Sequence, residues 1–455
     1  MGRVIAYTGQ AGTGKTYSLM QHLRELIPQR EWLKFETILA LTFMHGSRKR
    51  LDSNLEFVKK DFQVRYECST IDSFALNIIN RFRSYIYVNK IIRPSEDVSE
   101  NEIECFYNRE TIREKAVHLF QFESVRKFIF NSYPYIIIDE FQDCEGSLLE
   151  IIKQLSLSTN LLIASDQFQQ LSNPENLDGM HWIEENKFEL IDLNSTGIKR
   201  TRNNRILVSA TSLRKGVLQD GKKIDIFACP AIGLAAYHLK TQIHYNLAYG
   251  NIAIISPTQN DPFISKVLSS LSTSYTYKKP PYNTIGPYNH LLGSEKNIDI
   301  NELIKDIPKV PLIKNTLKEI KRRNDFVLNN CSDRLLRRLS IRNLEEISYN
   351  DFLYVVQQIV HTHDNFYKRE NKSKIVFTTI HGAKNREFDN VIILWSYKVS
   401  GDLLYKRKLL YNAITRAKRN VVIIVQHRTT ELNDLANNEL FSLIIDKEKV
   451  KNTTV

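Results

Sequence analysis

Gly9-Gln10-Ala11-Gly12-Thr13-Gly14-Lys15-Thr16 is the stretch that decides the fold. Ahead of it stands Val4-Ile5-Ala6-Tyr7, an apolar run that reads as a buried strand. Behind it, Tyr17-Ser18-Leu19-Met20 reads as the start of a helix that runs to about Pro28. Strand, glycine-rich loop and helix in this order are the context of a phosphate-binding loop. The glycines let backbone N–H groups turn toward a phosphate. Lys15 supplies a point charge for the β- and γ-phosphates, and the Thr16 hydroxyl can ligate Mg²⁺. The helix N-terminus adds its dipole. An accidental match arises on the order of once per hundred chains of this length. With 16 Gly in 455 residues, accident is rarer still here, so the stretch implies a bound nucleotide.

A second signal lies downstream. Tyr135-Ile136-Ile137-Ile138 ends in Asp139-Glu140-Phe141-Gln142-Asp143. Two carboxylates then sit at the C-terminal end of a buried strand, where open α/β sheets bind ligands. Asp139 is placed to hold the water shell of Mg²⁺, and Glu140 to orient and activate the water that attacks a γ-phosphate. The strand Leu161-Leu162-Ile163-Ala164 leads into Ser165-Asp166-Gln167-Phe168-Gln169, where a glutamine can read the γ-phosphate. Thr42 and Thr70, at the ends of two more strands, can hold backbone phosphates. Phe43 and Phe74 are either core residues or stacking faces for bases. Residues 77 to about 130 look helical and read as an inserted subdomain.

From about 190 the strand pattern restarts, with Ile191-Asp192-Leu193, Ile224 to Phe227 and Ile252 to Ser256. Residues 260–370 interrupt it with prolines and basic helices. Ile375 to Ile380, Asn390 to Trp395 and Asn420 to Val425 then resume the sheet. Arg416, between the last two, is a candidate arginine finger for a nucleotide held by the other half of the chain.

The formal net charge is +12. In a nucleotide-binding protein this fits a polyanionic partner as well as it fits a solubility effect. Five scattered cysteines form no CxxC pair, which excludes a zinc site or a disulfide framework and fits a cytoplasmic protein. No run of apolar residues is long enough to span a membrane.

Taken in order, these stretches resemble the UvrD/Rep/PcrA family of superfamily-1 DNA helicases. Motif I resembles Gly9 to Thr16, motif Ia Leu41-Thr42-Phe43, and motif Ib Thr70 to Ala75. Motif II is similar to Asp139 to Asp143, and motif III to Asp166 and Gln169. Motif V resembles Thr379-Ile380-His381-Gly382-Ala383-Lys384 with Glu387-Phe388-Asp389. Motif VI is nearly verbatim in Ala413-Ile414-Thr415-Arg416-Ala417-Lys418.

The resemblance implies an α/β fold of two tandem RecA-like P-loop domains with parallel sheets, each carrying a mainly helical insertion. It assigns 1–76 and 131–188 to the first domain and 77–130 to its insertion. It assigns 189–260 and 371–448 to the second domain, 261–370 to a reduced insertion, and 449–455 to a tail. It implies ATP and Mg²⁺ as cofactors. Lys15, Thr16, Tyr17, Asp139 and Glu140 come to the nucleotide from the first domain. Arg416 and Arg200 reach the γ-phosphate from the second, Gln169 couples hydrolysis to movement, and Glu387 faces the ribose. Thr42, Phe43, Thr70 and His381 would lie along a DNA single strand.

The activity implied is that of an ATP-dependent DNA helicase or translocase moving 3′ to 5′ on single-stranded or tailed DNA, as in DNA repair. The alternative is a regulatory, DNA-sensing ATPase subunit that gates a partner nuclease, as compact UvrD-like subunits do in some antiviral defence systems. The chain departs from the family at several points. It begins too late to carry the family's adenine-reading glutamine. Lys199 stands where a tyrosine stacks on adenine, and Arg202 competes with Arg200 for the motif IV place. Asp72 replaces the motif Ib histidine, Ser172 a motif III aromatic, and Asn385-Arg386 the usual Gly-Leu of motif V.

Overall fold

Unbroken apolar runs such as Tyr135–Ile138 suit strands covered on both faces, and in the computed structural model they become the centres of two parallel sheets. The structure describes residues 2–445 apart from 44, 96–97, 101, 103, 174–176, 259, 277–283, 294–299, 324, 343 and 371–373. The tail expected at 449–455 lies outside the described residues.

The first sheet runs in the order Arg65–Thr70, Thr37–Thr42, Tyr135–Ile138, Asn160–Ser165, Val4–Thr8, Glu189–Asp192, all parallel. Side chains alternate across it. Ile136 and Ile138 enter one core, and Ile137 enters the other on the opposite face. Burying each such side chain contributes roughly 1.5–3 kcal/mol. Because every strand points the same way, the loops after Thr8, Ile138 and Ser165 gather at one sheet edge. That edge carries the phosphate loop, Asp139-Glu140 and Asp166.

The helix after the phosphate loop spans Lys15–Leu26. It starts two residues earlier than the apolar pattern indicates, because Lys15 and Thr16 form its polar first turn. Ile191-Asp192-Leu193, read as the first strand of the second domain beginning at 189, falls largely in the strand Glu189–Asp192. That strand pairs with Val4–Thr8, from Ile5↔Glu189 to Thr8↔Asp192, so the first sheet extends past the boundary read at 188/189. A four-residue edge strand with Leu190 45% exposed carries too little pattern to show which sheet it joins. The insertion at 77–130 holds the helices Arg109–Phe120 and Glu123–Ser132, and also a three-stranded sheet of Ile91–Pro94, Glu104–Tyr107 and Ser99–Glu100. These strands are too short to register against the helical background.

In the second parallel sheet, Asp225–Cys229, Ala417–Gln426, Phe388–Trp395 and Ile252–Ser256 lie side by side in that order. The chain divides into two compact units: Met1–Asn289 with Thr378–Val455, and His290–Phe377. The helix Pro262–Ser269 therefore falls in the first unit rather than in the insertion read at 261–370, and it packs on the helix Ile232–Asn246. The smaller unit has its own core, in which Leu317, Leu335, Phe352 and Val356 are buried between the helices Lys314–Lys321, Phe326–Arg342 and Tyr349–Glu370.

Candidate nucleotide site

The phosphate loop is held from several sides. Gly14 sits in the left-handed region at φ 93° and caps the helix Lys15–Leu26, a conformation a side chain would strain. Gly12, at φ 83°, is closed in as well: a Cβ there would stand 2.8 Å from the Arg200 Cβ and 2.9 Å from the Ile198 Cγ2. The Gly12 carbonyl accepts from the backbone N–H of Lys199 at 2.7 Å and of Arg200 at 3.3 Å. Lys15 Nζ donates to the carbonyls of Gly9 and Gln10 at 2.8 and 3.1 Å and lies 3.9 Å from Asp166 Oδ2. Burial lowers the Lys15 pKa, opposed by Asp166 and Glu140. Among the cations of the first half, this one faces the cleft from the loop itself.

The strand Tyr135–Ile138 delivers Asp139, buried at 3% exposure. Thr16 Oγ1 donates to Asp139 Oδ1 at 3.4 Å. Among the described residues no group of three or more His, Cys, Asp or Glu side chains could hold a metal alone. A hydroxyl beside one carboxylate does fit Mg²⁺, which is bound through one or two carboxylates plus substrate phosphates and water. Glu140 sits at φ 62°, a left-handed conformation that costs a non-glycine residue roughly 1–2 kcal/mol. Gln142 Nε2 donates to Glu140 Oε2 at 2.5 Å, and Gln142 Oε1 accepts from the Asp166 N–H at 2.9 Å. Gln142 thus ties the Glu140 carboxylate to the neighbouring strand end. Nothing in the sequence alone gives Gln142 a role of its own.

The second half contributes the arginines. Arg416 is 2% exposed, with Nε donating to the Asn412 carbonyl at 3.0 Å and a terminal nitrogen 3.4 Å from Thr415 Oγ1. Arg200 pairs with Glu387 at 2.8 Å and donates to the Thr415 carbonyl at 3.0 Å. A cleft of about 410 Å³ brings these groups together. From the first half it is lined by Ala11, Gly12, Gly14, Lys15, Thr16, Tyr17, Asp139, Glu140 and Gln169, and from the second by Arg200, Glu387 and Arg416. Arg202 lines a different pocket, which separates it from Arg200. Gly9, Gln10 and Thr13 shape the loop from behind the lining. Asn54 carries no motif in the sequence, and Lys199 stands out there only as a departure from the family pattern. Both line the cleft, and the Lys199 ammonium lies 5.7 Å from the centre of the exposed Tyr17 ring.

Asp166 has a fully buried carboxylate. It accepts from Arg214 at 2.6 Å and lies 3.4 Å from the Tyr411 hydroxyl. Burial alone would lower the Arg214 pKa, but Asp166 outweighs it and raises it. Lys384 Nζ donates to both carboxylate oxygens of Asp143 at 3.0 Å, joining the two halves at a further point. Arg214 and Tyr411 had no marker in the sequence beyond lying on helices with buried faces.

The residues read as strand contacts are placed differently. Thr42 is fully buried, and its hydroxyl has no hydrogen-bond partner among the described residues. The Thr70 hydroxyl caps the helix Ile71–Arg81, accepting from the Ser73 N–H at 3.1 Å and donating to Ser73 Oγ at 2.7 Å. Phe43 is partly buried against the core, while Phe74 is wholly inside it. His381 is exposed in the turn after the strand Ile375–Thr379. Asp72 is held by a two-point ion pair with Arg113, at 2.6 and 3.1 Å.

Comparison with known families agrees with this geometry. Residues 1–174 match the model of an AAA domain, and residues 374–424 match that of the UvrD-like helicase C-terminal domain. The first match contains Lys15, Asp139, Glu140 and Gln169. The second contains His381, Glu387 and Arg416. No curated protein matches the chain. No helix among the described residues is long and apolar enough to cross a membrane.

Proposed function

We propose, from the premise that the chain is a UvrD/Rep-like superfamily-1 helicase, that it hydrolyses ATP in this cleft and uses the cycle to move 3′ to 5′ along single-stranded DNA. What carries the reading is the convergence of Lys15, Glu140, Arg200 and Arg416 on one cleft from two halves of the chain. Lys15 and the loop amides hold the β- and γ-phosphate charge. Thr16 and Asp139 would hold Mg²⁺, which supplies further charge neutralisation. Glu140 takes the proton of the attacking water, with Gln142 fixing the carboxylate. Arg416 and Arg200 neutralise charge that develops on the transferred group, worth about 10³–10⁵ in rate for such a finger. Gln169 stands between the cleft and the second half, since its carbonyl accepts from Asn412 Nδ2 at 3.3 Å. Loss of the γ-phosphate there would alter contacts of both halves. Phe43 and His381 are the proposed strand contacts.

The test is ATP turnover with and without a 3′-tailed DNA duplex, with strand separation followed in the same tube. Stimulated turnover with separation is the expected result. Stimulated turnover without separation would favour the second reading, a regulatory ATPase that gates a partner such as a nuclease. The size of the smaller unit, His290–Phe377, favours that reading. Separation of a 5′-tailed duplex alone would overturn the polarity.

A further inference from the structure

Tyr411 is the largest of the fully buried side chains among the described residues, at 1% exposure, and its hydroxyl faces polar atoms rather than the core. Leucine or phenylalanine would fill the same space without the cost of burying a hydroxyl. The hydroxyl accepts from the Ala11 N–H of the phosphate loop at 2.8 Å. It lies 3.4 Å from Asp166 Oδ2 and 3.4 Å from the Arg214 guanidinium. Burial, and then Asp166, raise its pKa well above the ordinary range, so it stays protonated and can donate to Asp166. The ring is gripped separately, edge-on to Phe168 with centroids 5.0 Å apart.

The other end of the same residue reaches both arginines. The Tyr411 carbonyl accepts from the Thr415 N–H at 3.0 Å and from Thr415 Oγ1 at 2.8 Å. Thr415 in turn meets Arg416 through Oγ1 at 3.4 Å and Arg200 through its carbonyl at 3.0 Å. One residue therefore links a phosphate-loop amide to both arginines, with a single threonine between.

We propose that Tyr411 is a positioning residue that sets Arg416 and Arg200 in register with the phosphate loop, so that its hydroxyl on Ala11 reports whether the second half is seated for turnover. The inference rests on the ATPase reading above. A merely structural tyrosine would add stability and nothing specific to the arginines.

The experiment uses the full chain and the variant Tyr411→Phe, which keeps the ring contacts and removes the hydroxyl. The ATP kcat should fall about tenfold, as when a buried amide loses its acceptor. The KM for ATP and the Kd of a fluorescent ADP should stay within about threefold of the parent, because the loop still holds the phosphates. The decisive arm repeats the change in an Arg416→Ala background, where Tyr411→Phe should lower kcat by less than about twofold further. A kcat within about twofold of the parent in the single variant overturns the proposal. So does a tenfold drop that persists in the Arg416→Ala background, because the hydroxyl would then act independently of the finger. A parent with no ATP turnover removes the ATPase reading and the proposal together. A working parent with an unaffected Tyr411→Phe removes the proposal alone.

Discussion

The phosphate end of the cleft, built from C-terminal strand ends of the first sheet and closed by Arg416 just ahead of the strand Ala417–Gln426, and the residues read as strand contacts are built to different standards. At the phosphate end Lys15, Asp139, Glu140, Asp166 and Arg416 are each held by a named partner. Three of the five, Asp139, Asp166 and Arg416, are no more than 3% exposed. At the strand end Thr42 is buried, Thr70 is used as a helix cap, and His381 is open. The difference follows from the chemistry. Charge developing on a phosphoryl group is stabilised only by groups already in position, because dipoles that must reorganise lose most of their effect. A moving polymer needs contacts that form and release along a backbone that repeats with every nucleotide.

This contrast is broken most directly at the phosphate end. Lys15→Ala should leave no detectable turnover, since the loop loses the cation held between Gly9 and Gln10. Glu140→Gln should do the same while still binding ATP and DNA. The Thr16–Asp139 pair is untouched, and a glutamine oxygen can still accept from Gln142. Near-normal turnover in Glu140→Gln would end its assignment as the base. Arg416→Ala should lose about 10³-fold in kcat or more, and a loss below tenfold would show that the finger lies elsewhere, Arg200 being the next candidate. Gly12→Ala comes next, with a loss of roughly tenfold and a raised KM for ATP. The new methyl must push back the Ile198–Arg200 segment that hydrogen-bonds the Gly12 carbonyl. If Gly12→Ala behaves as the parent, the contact between the two halves at this loop is looser than the distances indicate.

The same contrast explains what could be read in advance. Phosphate chemistry dictates residue types at fixed spacing, so the glycines, Lys15, Thr16, Asp139, Glu140 and Arg416 stood out as letters. Buried strands showed as unbroken apolar runs. What stayed hidden depends on tertiary placement. Arg214 and Tyr411 meet partners far away in sequence, and nothing local distinguishes them from other polar residues on buried elements; Gln142 lies inside the Asp139–Asp143 stretch, but its bond to the Asp166 N–H comes only with the fold. Ile191-Asp192-Leu193 was read with the second sheet for a related reason: its strand, Glu189–Asp192, is an edge strand whose partner is chosen by packing, and a half-exposed four-residue run does not encode it. The insertion strands Ile91–Pro94 and Glu104–Tyr107 were lost because four residues hold only two repeats of the alternation, too few to stand out.

The smallest effect sharpens the strand end. Phe43 cannot serve as the probe, because it packs on the core and its removal would disturb the sheet as well as any base contact. Thr42 and Thr70 have the same drawback, one being buried and the other a cap. His381 is exposed, and its side chain is not part of the strand that precedes it, so its truncation alters the surface alone. His381→Ala should raise the DNA concentration for half-maximal stimulation of turnover about three- to tenfold, the share of a single hydrogen bond. Measured over a salt series, the variant and parent should run parallel, since a histidine neutral at the assay pH releases no counterion. A loss that instead grew with falling salt would mean that His381 meets the strand as a cation. No loss at all would move the DNA path away from this turn.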